Sequence, residues 1–239
     1  MLRRMPTESP LRARRAGRLE VPRSLRELFA ARLDWTARYG LVVAAITTAC
    51  TIIGVALSPY LLTHHPVVLV LLSPIPRHML LVAPSMDLPT FVLVAGARQL
   101  LATSAAVCLG LRFGEAGIAW VEQQGDRLKR GVMILRVGFR RGGLLVVFAA
   151  PYPFVAATAV AIGEPIWRVV ATATVGHVAW LFVWYRFGDL ASGWIAPVTA
   201  FFATYTWQST AAFALAVSVY YLSKLKRRAS SADQKSADK

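Results

Sequence analysis

The chain has 239 residues, 56% of them hydrophobic and 16% charged, with a formal net charge of +15. The runs Tyr39–Thr63, Gly142–Gly163 and Leu190–Ser223 carry no Asp, Glu, Lys or Arg. Runs of that length exclude an ordinary soluble domain, because roughly 20 consecutive apolar residues is what a bilayer-spanning helix requires. The positive charge does not point to nucleic acid, since no basic, aromatic-bearing fold accompanies it. Ten arginines between Arg3 and Arg38 precede the first apolar run, and Lys224, Lys226, Arg227 and Arg228 follow the last. Basic residues flanking apolar runs mark the cytoplasmic side and attract anionic lipid.

In chain order, residues 1–22 are rich in Arg and Pro and read as disordered. Residues 23–37 set Leu25, Leu28, Phe29, Leu33 and Trp35 among arginines, the pattern of a helix lying on a membrane surface. Residues 1–37 thus form a basic cytoplasmic segment, 38–223 a membrane domain and 224–239 a basic, polar cytoplasmic tail. Within the membrane domain, Tyr39–Leu62, Leu88–Leu111, Pro165–Tyr185 and Trp194–Leu222 are each predicted to span. Cys50 and Cys108 lie inside apolar runs and read as buried thiols. Phe113–Arg130 is expected on the cytoplasmic face.

Two further apolar segments, Pro66–Met86 and Gly142–Gly163, are interrupted by Pro74-Ile75-Pro76 and Pro151-Tyr152-Pro153. Proline removes a backbone donor and clashes with the preceding turn, so each segment splits into two legs. A leg of about 8–10 residues is roughly 15 Å of helix, half the depth of a bilayer core. The basic residues then choose a topology. Seven of them, from Arg112 to Arg141, lie between the second span and the second broken segment. Only two re-entrant hairpins and four spans keep this loop and both termini inside. The expected fold is therefore all-α and polytopic, with four transmembrane helices and two opposed re-entrant hairpins.

The broken segments belong to a repeat. At an offset of 77, Pro74 and Pro76 align with Pro151 and Pro153, and Asp87 with Glu164. After a three-residue deletion, Arg112-Phe113-Gly114-Glu115 aligns with Arg186-Phe187-Gly188-Asp189. The units cover about residues 66–115 and 142–189. In the topology above they enter from opposite faces, an inverted repeat of the kind found in secondary transporters.

With its two proline hairpins, the small-residue run Ala159–Gly163 and the pairs Gly110/Gly114 and Gly176/Gly188, the chain resembles the DedA family, also called SNARE-associated Golgi or VTT-domain proteins. The resemblance covers about residues 60–190. It implies a lipid transporter or flippase, moving undecaprenyl phosphate or a phospholipid between leaflets, in a bacterial plasma membrane. At the hairpin tips the chain departs from the family. Pro76-Arg77-His78 stands where an acid is expected, and Phe148–Thr158 lacks the expected arginines.

Ionisable groups at membrane depth are costly and usually face a cavity or a partner. Arg77 and His78 at the first tip, Arg98 in the second span and Tyr152 at the second tip are the candidate substrate-binding residues. Guanidinium suits a lipid phosphate, and anionic or phosphate-bearing lipids are the expected partners. Asp87, Glu164, Arg168 and His177 are candidates for a proton or ion path or for counter-charges. For the acids the alternative is a helix N-terminal role, with Glu164 and Arg168 spaced for a helical ion pair. His177 is equally a helix–helix hydrogen bonder. Arg112 and Arg186 are expected to cap helix C-termini. No metal site, cofactor or enzyme motif is expected. The competing readings are a proton-coupled small-solute exporter and a non-transporting membrane scaffold.

Overall fold

A computed structural model describes residues 35–123 and 125–237, with backbone alone for 224–237. The basic segment 1–37 therefore lies outside the described residues except for its last three positions. The described chain is helical, without a strand. Its helices are α1 Trp35–Ala56, α2 Ser58–His64, α3 Pro66–Leu72, α4 Pro76–Val82, α5 Leu88–Glu122, α6 Asp126–Gly142, α7 Leu145–Ala149, α8 Pro153–Ala161, α9 Ile166–Leu190, α10 Ser192–Thr204 and α11 Thr206–Ala237.

Three of these, α1, α5 and α9, are long and apolar enough to cross a membrane. No more than a third of the apolar window of each is buried within the chain. Val42, Ile46, Ile53, Leu93, Val175 and Phe182 are all at least 49% exposed. An aqueous protein rarely leaves so much contiguous apolar surface uncovered, whereas lipid covers it at no cost. The chain is a membrane protein.

The expected first and fourth spans are each divided. The first breaks at Leu57, two residues before Pro59, where φ/ψ is −95°/8°. The fourth breaks at Tyr205, with φ/ψ −112°/38°. That leaves α10 with 13 residues, about 20 Å of helix against a core of about 30 Å. The helical stretch α5 is two helices joined at Gly114, where φ/ψ is 50°/−137°, so the second span ends close to the expected Leu111 and a further helix runs on to Glu122. Arg112 therefore lies in the last turn before that break, at a helix C-terminus, whereas Arg186 lies inside α9. α11 continues through the expected tail to Ala237, a stretch without Gly or Pro and rich in helix-favouring Lys, Arg and Ala.

Both proline segments are helix–break–helix, and their breaks match residue for residue. Ser73 has φ/ψ −142°/78° and its repeat partner Ala150 has −134°/74°. Ile75 has −83°/150° and its partner Tyr152 has −81°/146°. All four precede a proline, whose Cδ disfavours helical backbone at the residue before it. The aligned prolines thus produce the same local fold twice. The legs hold 7 and 7 residues in one hairpin and 5 and 9 in the other, so no leg alone crosses a bilayer.

The chain divides into two compact units. One comprises residues 1–44 and 102–176, the other 45–101 and 177–239. In the first, Val147 of α7 and Val155, Ala156 and Ala159 of α8 form a core with Val107 of α5, Phe139 of α6 and Val169 and Ala173 of α9. The Tyr39 and Ser104 hydroxyls pair at 3.0 Å, tying α1 to α5. In the second, Leu69, Val70, Met79 and Val82 of the first hairpin pack with Leu61 of α2, Phe91 and Ala95 of α5 and Leu181 of α9. The Tyr185 hydroxyl of α9 donates to the Met86 carbonyl at 3.1 Å.

Each unit draws on both repeats. In the first, Gly110 of the first repeat lies against the Ala157 backbone of the second hairpin. In the second, Gly188 of the second repeat lies against Leu80 and Ala83 of the first hairpin. A Cβ at either glycine would collide with backbone that cannot rotate away. Gly110→Ala and Gly188→Ala should each cost about 1–3 kcal/mol, as overpacked cores do. Thermal unfolding in detergent should show both midpoints lowered, whereas Gly131→Ala, which meets nothing within 4 Å, should not lower it.

Candidate functional site

The second unit contains a groove of about 360 Å³. One wall is α1, through Thr51, Ile52 and Val55, and the other is α11, through Phe213, Ala216, Val217, Tyr220 and Tyr221. Arg77, in the first turn of α4, is its one charged lining residue. The break at Ile75 places it there, because the short second leg begins at Pro76. Arg77 is exposed and has no ion-pair partner among the described residues.

A second cation stands behind the α1 wall. Arg98 of α5 is 7% exposed. Its Nη2 donates to the Thr47 carbonyl at 2.6 Å and to Thr51 Oγ1 at 3.4 Å. Thr51 in turn donates to the Thr47 carbonyl at 2.8 Å. Both of these acceptors are neutral, and no carboxylate among the described residues forms an ion pair with Arg98. A buried guanidinium without a counter-anion is electrostatically undersupplied. Thr51 therefore belongs both to the groove beside Arg77 and to the hydrogen bonds that hold Arg98.

His78 is turned away from the groove-lining role. It is 2% exposed, and its Nδ1 bonds the Ser73 carbonyl at 3.1 Å. That carbonyl lies at the break, where helical pairing stops. The second hairpin solves the same problem differently: the Tyr152 N–H donates to the Ala150 carbonyl at 2.7 Å, and Val155 occupies the place of His78. His78 is a brace of the first hairpin.

Asp87 is exposed, and its Oδ2 accepts the Thr90 N–H at 3.0 Å, so it caps α5. The hydrogen bonds from Thr90 hold its carboxyl below the ordinary carboxylate range. Glu164, half-buried, precedes α9, which begins at Ile166. The expected Glu164–Arg168 ion pair is absent, since Glu164 is not on the helix that would bring the two together. Arg168 lies instead over the Trp167 ring, 5.1 Å from its centroid. His177 is buried in α9. Arg77, His78, Asp87, Arg98 and His177 belong to the second unit, and Tyr152, Glu164 and Arg168 to the first.

Sequence reasoning nominated Arg77 and Arg98 but missed Thr51, Phe213, Tyr220 and Tyr221. The adjacent tyrosines at the end of an apolar run were the available signal, since such aromatics mark the membrane interface. Their distance in sequence from Arg77 hid the groove. The chain matches no protein-family model, no curated protein and no solved structure.

Two consequences follow from these bonds. His78→Leu should leave the Ser73 carbonyl unsatisfied and cost about 1–3 kcal/mol, read as a lower thermal midpoint, with His78→Gln recovering part of it. Asp87→Ala should lower the midpoint near pH 7 and Asp87→Asn much less. Because the Asp87 pKa is depressed on folding, its contribution is present above the unfolded value of about 3.9 and fades as pH falls through the lower folded value. The wild-type advantage over Asp87→Ala should therefore be lost in strongly acidic buffer.

Proposed function

We propose that this protein is a membrane lipid transporter of the DedA type, moving a phosphate-bearing lipid between leaflets. The observation that carries the reading is Arg77, an exposed guanidinium without an ion-pair partner among the described residues, in a groove walled mainly by apolar and aromatic side chains. A lipid phosphate meets the guanidinium, and its chain covers the apolar wall, so the groove matches both halves of an amphiphile. Arg98, held one threonine behind the wall by neutral acceptors, adds positive potential at the same place.

In this reading the two proline segments are re-entrant hairpins entering from opposite faces, and both termini are cytoplasmic. The matched backbone at Ser73/Ala150 and Ile75/Tyr152 supports the duplication on which the inverted repeat rests. The basic residues of α6 support an inside position for the segment that joins the two repeats. The groove does translocation work: a cation and an apolar wall lower the cost of carrying a headgroup through the bilayer core.

Liposomes carrying the protein should exchange labelled polyprenyl phosphate or phospholipid between leaflets faster than empty liposomes. Arg77→Ala should slow that exchange about tenfold, the value of one charge-assisted hydrogen bond. Arg77→Lys should be intermediate, since it keeps the charge and loses the bidentate fork. Equal rates for wild type, Arg77→Ala and empty liposomes would remove the proposal.

A further inference from the structure

The first unit has its own basic element, and the transport reading makes no use of it as a binding group. α6 turns Val132 and Phe139 inward. Its Arg136 takes Glu115 at 2.6 Å and lies 3.9 Å from Glu122, so both acids at the end of α5 are drawn to one arginine. Arg140 and Arg141, in the last turn, remain exposed and form no ion pair among the described residues.

Gly142 follows them directly and lines a groove of about 450 Å³. Leu144, Leu145 and Phe148 form one wall, and Ala171, Thr172 and Val175 of α9 form the other. Leu145 is 71% exposed and Val175 60%, so nothing among the described residues covers these walls. The groove itself holds no charge. A cationic pair beside an uncharged apolar groove has the charge and polarity pattern of one ligand class, an anionic amphiphile. Met133, Ile134 and Val137, also exposed on α6, lie between the basic residues at its two ends, as on a helix resting in a leaflet interface. Two copies of the chain meeting symmetrically here would set these arginines against each other, which disfavours a self-interface.

We propose that this groove is a binding site for an anionic phospholipid of the surrounding leaflet, its phosphate on Arg140 and Arg141 and one acyl chain along Leu145, Phe148 and Val175. Guanidinium pairs hold a phosphate with charge-assisted bonds, and basic recesses beside membrane helices favour anionic headgroups. The site shares no residue with the Arg77 groove, so it stands or falls separately from the transport reading.

The test is lipid retention by the full-length protein in detergent, read by native mass spectrometry after incubation with equal amounts of phosphatidylglycerol and phosphatidylcholine. Wild type should retain phosphatidylglycerol several-fold over phosphatidylcholine. R140Q/R141Q should abolish that preference. Ala171→Leu, an exposed change that fills the groove, should reduce retention of phosphatidylglycerol with the helical circular dichroism unchanged. Equal retention of the two lipids by wild type, an undiminished preference in R140Q/R141Q, or wild-type retention in Ala171→Leu would each overturn the proposal.

Discussion

The steric clash between a proline ring and the residue before it organises this molecule. At Ser73, Ile75, Ala150 and Tyr152 it moves the backbone out of the helical region. Each apolar segment is thereby cut into legs too short to cross a bilayer. The carbonyls stranded at the cuts must find donors, and they do so by different means: a buried histidine in one hairpin, a backbone N–H in the other. The same constraint starts α4 at Pro76 and so sets Arg77 at the edge of a groove.

The breaks would be unstable without close support. Gly110 and Gly188 allow a long helix to lie directly on the second leg of a hairpin, and in each case helix and hairpin come from different repeats. The duplication is therefore interlocked. Neither repeat supplies a complete core from its own residues, because α5 contributes to both units, as does α9. Packing of this kind depends on missing side chains rather than present ones, and a single methyl group is enough to disturb it.

Charge is distributed as sharply as packing. The acids at the end of α5 are drawn to Arg136, Asp87 is used as a cap, and Arg168 rests on an aromatic ring. Arg77 and Arg98 in one unit and Arg140 and Arg141 in the other form no ion pair among the described residues. In a protein whose apolar surface meets lipid, cations left in this state next to apolar grooves call for anionic lipid, which is the common root of the two proposals made for them.

Much of this could be read from residue order alone. Apolar length identified three of the four expected spans, those of α1, α5 and α9, because hydrophobic length is a one-dimensional property. The Pro-x-Pro pairs located both breaks, because the pre-proline restriction acts between neighbours. Asp87 was legible as a helix N-terminal acid for the same reason. The breaks at Leu57 and Tyr205 and the loss of the Glu164–Arg168 pair were not legible, since each turns on where a helix begins or ends by a few residues. The groove was decided only by tertiary structure. It joins Thr51, Arg77 and Tyr220, which are far apart along the chain and become neighbours only when α1, α4 and α11 pack. Sequence could say that Arg77 and Arg98 were unusual; only the packed helices could set one in the groove and the other behind its wall.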